Sequence, residues 1–563
     1  MPAYFGICTE IYRIRRVKCD EARPQCLRCL KFGLECDGFP IIAPGYQRAK
    51  SKCALKIRPW NGPGSGPKSR PLAQRFHLSP SQLLQPPPDI SFQNATEQTY
   101  FQAFRYDVIP EISGVFNASF WNHIVLPTCH DRDAPFVRDM ILAIAAIRLS
   151  TGESQHSNGP SKHHQFALER YDQAVRAMRS MLSNEARHLR QALISCLLVF
   201  CFEGFLGYPK QALLHARSGY HLLQNWMVKS SRPLMRLRCT PTASSLIEDE
   251  LFDTFNILHL HAVTIIGDTY TPESHEFEQA YSDEILANMS LAFSDLGEAH
   301  RYFTAIVKRI AAFVQKAAQV TTSYIPSVMH YRHSREQNKF SGSSLVFGSS
   351  IHTPFSSGPV PNNILLEYYR NTQEITQWQE SFKPVRLNPD QSHQPGVIIL
   401  QANAITMRFI LDSVVARDEC SWDKFLPECR SIIALAKTFF RTTSKTSPRA
   451  CRFSMEVGLL PVLYMVCKVC RDGLVRREAI AMMRLCSGRE CVWDSGLAAQ
   501  TSMWLMEIEE EGMIDGYIPE NARARITKVE VDILTKSATL ECTKRTNYID
   551  GGVAVRKTTI RWD

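Results

Sequence analysis

From about Thr96 onward, apolar residues recur at spacings of three and four, the signature of helices that bury one face. Ala167, Tyr171, Ala174, Val175, Met178, Met181 and Leu182 share one stripe. Beyond the polar break Ser183-Asn184, Leu189, Ala192, Leu193, Cys196, Leu197 and Phe200 form a second. Beyond the turn from Gly204 to Pro209, Ala212, Leu213, Ala216, Tyr220 and Leu223 form a third. Stripes separated by such breaks predict helix hairpins. More helices are predicted near 245–268, 275–320, 362–381, 395–417, 424–440, 455–470, 474–487 and 497–511. Residues 335–361, rich in Ser and Gly, read as a loop insertion. Towards the C-terminus the period changes to two, in Lys528-Val-Glu-Val-Asp-Ile-Leu and Ala538-Thr-Leu-Glu-Cys542, which predicts a short β-hairpin. No strict internal repeat runs through the chain. Residues 96–563 are therefore expected to form a mainly α-helical, helix-hairpin domain with a short β-hairpin near the C-terminus.

The first hundred residues follow neither period. Residues 13–40 are compact, basic and rich in cysteine. Residues 41–95 carry Pro59-Trp-Asn-Gly-Pro-Gly-Ser-Gly-Pro67 and Pro86-Pro87-Pro88 with Lys and Arg between, the composition of a basic Pro/Gly-rich linker. A chain of 563 residues accommodates such a small module beside a large buried core. Hydrophobic residues at 44% and charged residues at 21% argue against wholesale disorder. Charge separates the two parts further. Residues 1–75 hold 15 Lys and Arg against 5 Asp and Glu; the remaining 50 of each sign cancel, so the whole excess of +10 lies in the N-terminal segment. A basic arm on a neutral body suits a polyanionic partner.

Cysteine is concentrated in the same segment, with six of 18 in the first 53 residues. No signal peptide is apparent, and apolar runs such as Ala192–Phe202 fall short of the roughly 20 residues that span a bilayer, so no membrane segment is expected. Without secretion, clustered thiols read as metal ligands. Cys19, Cys26, Cys29 and Cys36 are spaced C-x6-C-x2-C-x6-C, which suits tetrahedral zinc stabilising a fold too small for its own core. Arg13, Arg15, Arg16 and Lys18 precede the first of them and offer donors to phosphates and base edges.

These residues resemble the fungal binuclear zinc cluster, the six-cysteine Zn(2)-C6 fungal-type module. In that family, six cysteines hold two zinc ions, and a basic run ahead of the third cysteine enters the major groove of double-stranded DNA, usually at a CGG triplet. The resemblance implies that Arg13, Arg15, Arg16 and Lys18 are the DNA-reading run. It makes Cys19, Cys26, Cys29 and Cys36 ligands three to six, with Cys26 bridging, and Pro24 the turn between the halves. Ligands one and two should stand at positions 9 and 12, which hold Thr9 and Tyr12; Cys8 is one residue out of place. The pattern holds from Arg13 and fails before it, so residues 1–12 are expected to be translated intron or a wrong first exon, a gene-model artefact. Two ions follow if an N-terminal cysteine pair is restored; as written the module takes one zinc or none.

The body, 96–563, is similar to the fungal-specific transcription factor domain. The blocks that carry this are Arg187 to Glu203, Ala212 to Gly219, Glu250-Leu-Phe-Asp-Thr-Phe255, Arg471 to Ile480, and Trp504 to Gly516 followed by Arg523-Ala-Arg525. The family's usual Arg-Leu-Asp-Leu-Gln stands here as Ile257-Leu-His-Leu-His261. The resemblance implies a nuclear regulator at RNA polymerase II promoters, with a homodimer or regulatory protein partners, a small-molecule effector and no catalysis.

Other constellations read as structural. Cys467-Lys-Val-Cys470 ends an apolar helix and reads as buried thiols. His259 and His261 point apart on a helix, and His163-His164 reads as surface. Glu507-Ile-Glu-Glu-Glu511 reads as a solvated helix end stopped by Gly512. The rival reading of the whole chain is a transcriptional co-regulator that binds proteins through the body and has a degenerate zinc cluster.

Overall fold

The computed structural model describes the chain from Phe92 to Trp562, apart from 151–160, 183–188, 231–248, 267–278, 324–343, 349–359, 389–393, 444–452, 546–551 and a few single or paired positions. The chain separates into two units at 85/86, and the second holds every element below.

Six helices build the first layer: α1 (Ala95–Ala103), α2 (Pro135–Ser150), α3 (Lys162–Leu182), α4 (Leu189–Leu206), α5 (Pro209–Ser230) and α6 (Asp249–Ile266). The stripes expected on α3 and α5 line the inward faces of those helices where their side chains are described, whereas α4 is buried almost all round, off its predicted stripe as well as on it. Helix α2 was not singled out by pattern. It is buried from Phe136 to Arg148 on nearly every side, and a helix without a polar face has no 3.6-residue alternation to detect. Helix α4 is long and apolar enough to cross a membrane, yet most of it is buried in this layer, which accounts for its composition.

The second layer comprises α7 (Leu296–Ser323), α8 (Asn362–Leu387) and α9 (Pro395–Asp412). Helix α7 starts well after the expected position 275. Asp295 Oδ1 accepts the Glu298 N–H at 2.8 Å while Glu298 accepts the Ser294 N–H at 2.8 Å, a reciprocal cap that sets the start. Helix α9 is apolar on opposite faces: Val397, Leu400, Ala404 and Leu411 pack on α7 and α8, whereas Ile399, Ala402 and Phe409 pack on the third layer. That third layer holds α10 (Leu426–Thr443), α11 (Leu460–Val469), α12 (Gly473–Leu485) and α13 (Ser495–Glu510). Ahead of α11, where a helix was expected from 455, β2 (Phe453–Ser454) instead pairs in parallel with β3 (Arg489–Glu490), and β3 pairs with β4 (Trp493–Asp494).

The expected C-terminal hairpin is larger than its pattern suggested. Strands β5 (Ala524–Asp532), β6 (Ser537–Arg545) and β7 (Val553–Arg561) form an antiparallel meander packed on α13 through Ala524, Ile526, Val529, Val531, Ala538, Leu540 and Cys542. The supposed loop insertion adds a fourth strand, β1 (Ser344–Gly348), antiparallel to β5 with Val346 opposite Glu530. A five-residue strand has its hydrogen-bond partner some 180 residues away in sequence, so no local signal distinguished it from loop.

Candidate DNA-binding module and the charged centre of the body

The predicted ligands Cys19, Cys26, Cys29 and Cys36, the misplaced Cys8, and the basic run Arg13, Arg15, Arg16 and Lys18 all lie outside the described residues. Their chemistry rests on the donor set. Four thiols fill one tetrahedral zinc shell and cannot supply the six positions of a two-ion cluster.

In the body, a buried concentration of charge joins sequence blocks far apart. Arg471 ends the turn between α11 and α12, Arg476 lies in the second turn of α12, and Glu509 lies in the last turn of α13; all are buried, Arg476 and Glu509 completely. Asp472 caps α12 by accepting the N–H groups of Leu474 and Val475, which fixes where Arg471 and Arg476 stand. Glu509 Oε1 accepts from Arg471 at 2.9 Å and from the Ala524 N–H at 2.8 Å, and Oε2 accepts from Arg476 at 2.7 Å. Arg471 also donates to Glu419 at 2.8 Å, and Arg525 of β5 donates to the other Glu419 oxygen. Arg523 grips Asp423 with both terminal nitrogens at 2.7 Å and donates to the carbonyls of Glu419 and Ile518. Glu520 accepts the N–H groups of Glu419 and Cys420.

Burial alone would push the Glu509 carboxyl up, but the Arg471 and Arg476 guanidiniums and the Ala524 N–H outweigh it and hold the group below its ordinary value. The four carboxylates of the centre are each tied to fixed partners, so none is placed to act as a base. The arrangement locks α11, α12, α13 and β5 together. It also corrects the reading of Glu507 to Glu511 as a solvated helix end. Glu507 and Glu511 are exposed, but Glu509, two residues and roughly 200° of helix rotation from each, falls on the inward face of α13. Gly512 is needed for contact rather than for a left-handed stop, since a Cβ there would sit 2.6 Å from that of Ala522.

A second buried carboxylate joins the layers. Glu456 accepts the N–H groups of Val115 at 2.6 Å and Phe116 at 2.8 Å and the Asn117 side-chain amide at 2.9 Å. Gly114, at φ +54°, turns the backbone so that these donors converge. Phe116 then stacks on His300 of α7 with ring centroids 4.0 Å apart. Burial outweighs the donors and pushes the Glu456 carboxyl up to about 8.

Cys467 and Cys470 are buried as expected, and burial pushes the Cys467 thiol up to about 12, which disfavours the thiolate a metal requires. Among the described residues no three His, Cys, Asp or Glu side chains are arranged to hold a metal ion. His259 is buried and stacks on Tyr220 at 3.8 Å; the His261 side chain lies outside the described residues. His163 is half-buried rather than a surface residue, held against the Tyr100 hydroxyl at 2.7 Å.

Comparison with known families decides what frame these residues belong to. The Fungal Zn(2)-Cys(6) binuclear cluster domain matches residues 13–44, and the Fungal specific transcription factor domain matches residues 99–303. In both domains the chain is similar to the fungal zinc-cluster transcription regulators. The cluster match starts at Arg13 and takes in Cys19, Cys26, Cys29 and Cys36, whereas Cys8 lies outside it. The second match covers α1 to the start of α7. The chain is similar to the aspercryptin biosynthesis cluster-specific transcription regulator atnN of Emericella nidulans, at 21% identity over 89% of this chain and 86% of that one. It is also similar to transcription regulator lscL of Purpureocillium lilacinum, at 24% identity over 38% of this chain and 48% of that protein. No solved structure matches. The family implies a zinc-binding, DNA-binding module, and its members are regulators rather than enzymes and are generally nuclear. Sequence reading found the blocks around Arg471, Glu509 and Arg523 but not their convergence, because nothing local says that three distant segments share one buried centre.

Proposed function

We propose that this chain is a zinc-dependent, sequence-specific DNA-binding regulator acting in the nucleus at RNA polymerase II promoters. Arg13, Arg15, Arg16 and Lys18 read a CGG-like half-site in the major groove, and Cys19, Cys26, Cys29 and Cys36 hold the zinc that folds the module. The observation that carries this reading is the cysteine spacing with its preceding basic run, inside a match to the cluster family that begins at Arg13. The cluster-specific biosynthetic role in the name of the Emericella nidulans relative supports control of a secondary-metabolite pathway. One module buries little surface, so two half-sites and a dimer held by the body are expected. Binding of the purified full chain to CGG-containing and random duplexes tests the reading. Arg16→Ala is expected to lose about 1–3 kcal/mol on the specific site only. Lys18→Ala should weaken both duplexes alike and flatten the salt slope by about one unit. Equal losses on both duplexes for both variants would sink the assignment.

One observation favours a second reading. Thr9 and Tyr12 stand where two ligands belong, and neither replaces a thiolate. On that reading the chain is a co-regulator that binds proteins through its body. Purified protein with no zinc by elemental analysis and no salt-dependent DNA affinity would establish it.

A further inference from the structure

The four-stranded sheet runs in the order β1, β5, β6, β7, so β7 is an edge, and among the described residues no strand pairs with its outer side. Strand β7 is nine residues long and pairs with β6 along its whole length, from Val553 opposite Arg545 to Arg561 opposite Ser537. Its C-terminal end is anchored. Ile560 and Trp562 pack on the core beneath α13, and the Trp562 N–H donates to the Lys536 carbonyl at 3.1 Å. The edge is thus long, held in place and open, the combination that recruits another strand unless something prevents it.

Its side chains state what would fit. Alternation leaves Val553, Val555, Lys557, Thr559 and Arg561 exposed on the open face, with Val553 at 49% and Val555 at 45%. Ala554, Thr558 and Ile560 are half-buried on the α13 side, where Arg556 reaches Glu511 at 3.3 Å. The strand therefore carries three cations, no acid and two exposed valines. The ion pairs of Lys557 with Glu541 and Arg556 with Glu511 leave both cations about 60% exposed, and such pairs bind weakly enough to be shared or exchanged.

We propose that the outer edge of β7 is a docking site for an extended acidic segment of a partner protein, added to the sheet as a fifth strand. Counted from its N-terminus and paired antiparallel to β7, such a segment sets acidic residues at positions one and five against Arg561 and Lys557, a third at position six against Arg556 on the other side, and small apolar residues at positions seven and nine against Val555 and Val553. A second copy of β7 does not fit, because antiparallel self-pairing centred on Lys557 sets Lys557 directly against its own copy and gathers six cations and no acid along one pair of strands. Nucleic acid fits less well than a peptide. Its phosphates accept hydrogen bonds but offer no donor to the open carbonyls of β7 and nothing apolar for the valines. The site is independent of whether the zinc module binds DNA.

The experiment uses the full chain and a fluorescein-labelled peptide, Asp-Thr-Thr-Thr-Glu-Glu-Val-Thr-Val, read by fluorescence anisotropy. A dissociation constant on the order of 10 μM is expected. The double variant Lys557→Glu/Arg561→Glu should bind it at least tenfold more weakly, while a peptide with Lys at positions one and five and Glu kept at position six should recover affinity for that variant. Both substitutions are at exposed positions, and an unchanged melting curve confirms that the fold is kept. Strand pairing has its own signature. N-methylating one alternate set of peptide amides should abolish binding, and methylating the other set should not. No binding at about 1 mM peptide, equal binding by both methylated peptides, or displacement of the peptide by an equimolar random duplex would each overturn the proposal.

Discussion

Glu509→Gln replaces the central carboxylate of the buried ion centre with a group of the same shape and no charge. Three donors converge on this side chain, from Arg471, Arg476 and the Ala524 N–H. Arg471 retains Glu419 and the carbonyls of Lys468 and Val469 after the change. Arg476 is completely buried, and its Nε and second terminal nitrogen have no acceptor among the described residues, so the loss falls mainly there. The new amide also turns one acceptor into a donor facing a donor. Removing one member of a buried pair costs about 3–5 kcal/mol, since the remaining charge stays desolvated. At about 2 °C per kcal/mol for a body of this size, Tm should drop by about 6–10 °C. Differential scanning calorimetry of the purified chain reads this. Glu507→Gln and Glu511→Gln, at exposed positions on the same helix end, are the controls and should move stability by no more than about 0.5 kcal/mol. Adding Arg476→Met to Glu509→Gln removes the stranded cation and should recover roughly half of the loss. If Glu509→Gln melts with the wild type, or if Glu507→Gln costs as much, the centre does not hold the body together and the reasoning fails.

Two further outcomes follow from the Glu456 junction. Gly114→Ala places a Cβ 2.2 Å from the Glu456 carboxylate at a backbone φ of +54°, so it should destabilise by about 2–3 kcal/mol; a loss below about 0.5 kcal/mol in urea denaturation would refute the geometry. Burial raises the Glu456 carboxyl to about 8, above an unfolded value of about 4.3, so the folded chain holds this proton more tightly than the unfolded one. The resulting stability is fully present below about pH 4 and is lost as pH rises through about 8. Tm should therefore fall between pH 7 and pH 9, and Glu456→Gln, which cannot ionise, should show a shallower fall; parallel curves would count against it.

What the sequence determined by itself is what depends on neighbours along the chain. The C-x6-C-x2-C-x6-C spacing and its basic run are local chemistry, and they were enough to place the module in its family before any coordinates. The amphipathic helices α3, α5 and α10 were equally legible, because one face in water and one in the core writes a period of 3.6 into the residues themselves. The structure decided what depends on distant partners. Helix α2 had no readable period because neighbours cover it on nearly every side. Strand β1 looked like loop because the strand that satisfies its backbone lies far along the chain. Glu509 looked solvated because a run of glutamates does not say which one faces inward, and burying it is tolerable only where Arg471 and Arg476 arrive from the turn before α12 and from α12 itself. A charge can be buried only in the company of its partners, and that company is assembled by the fold.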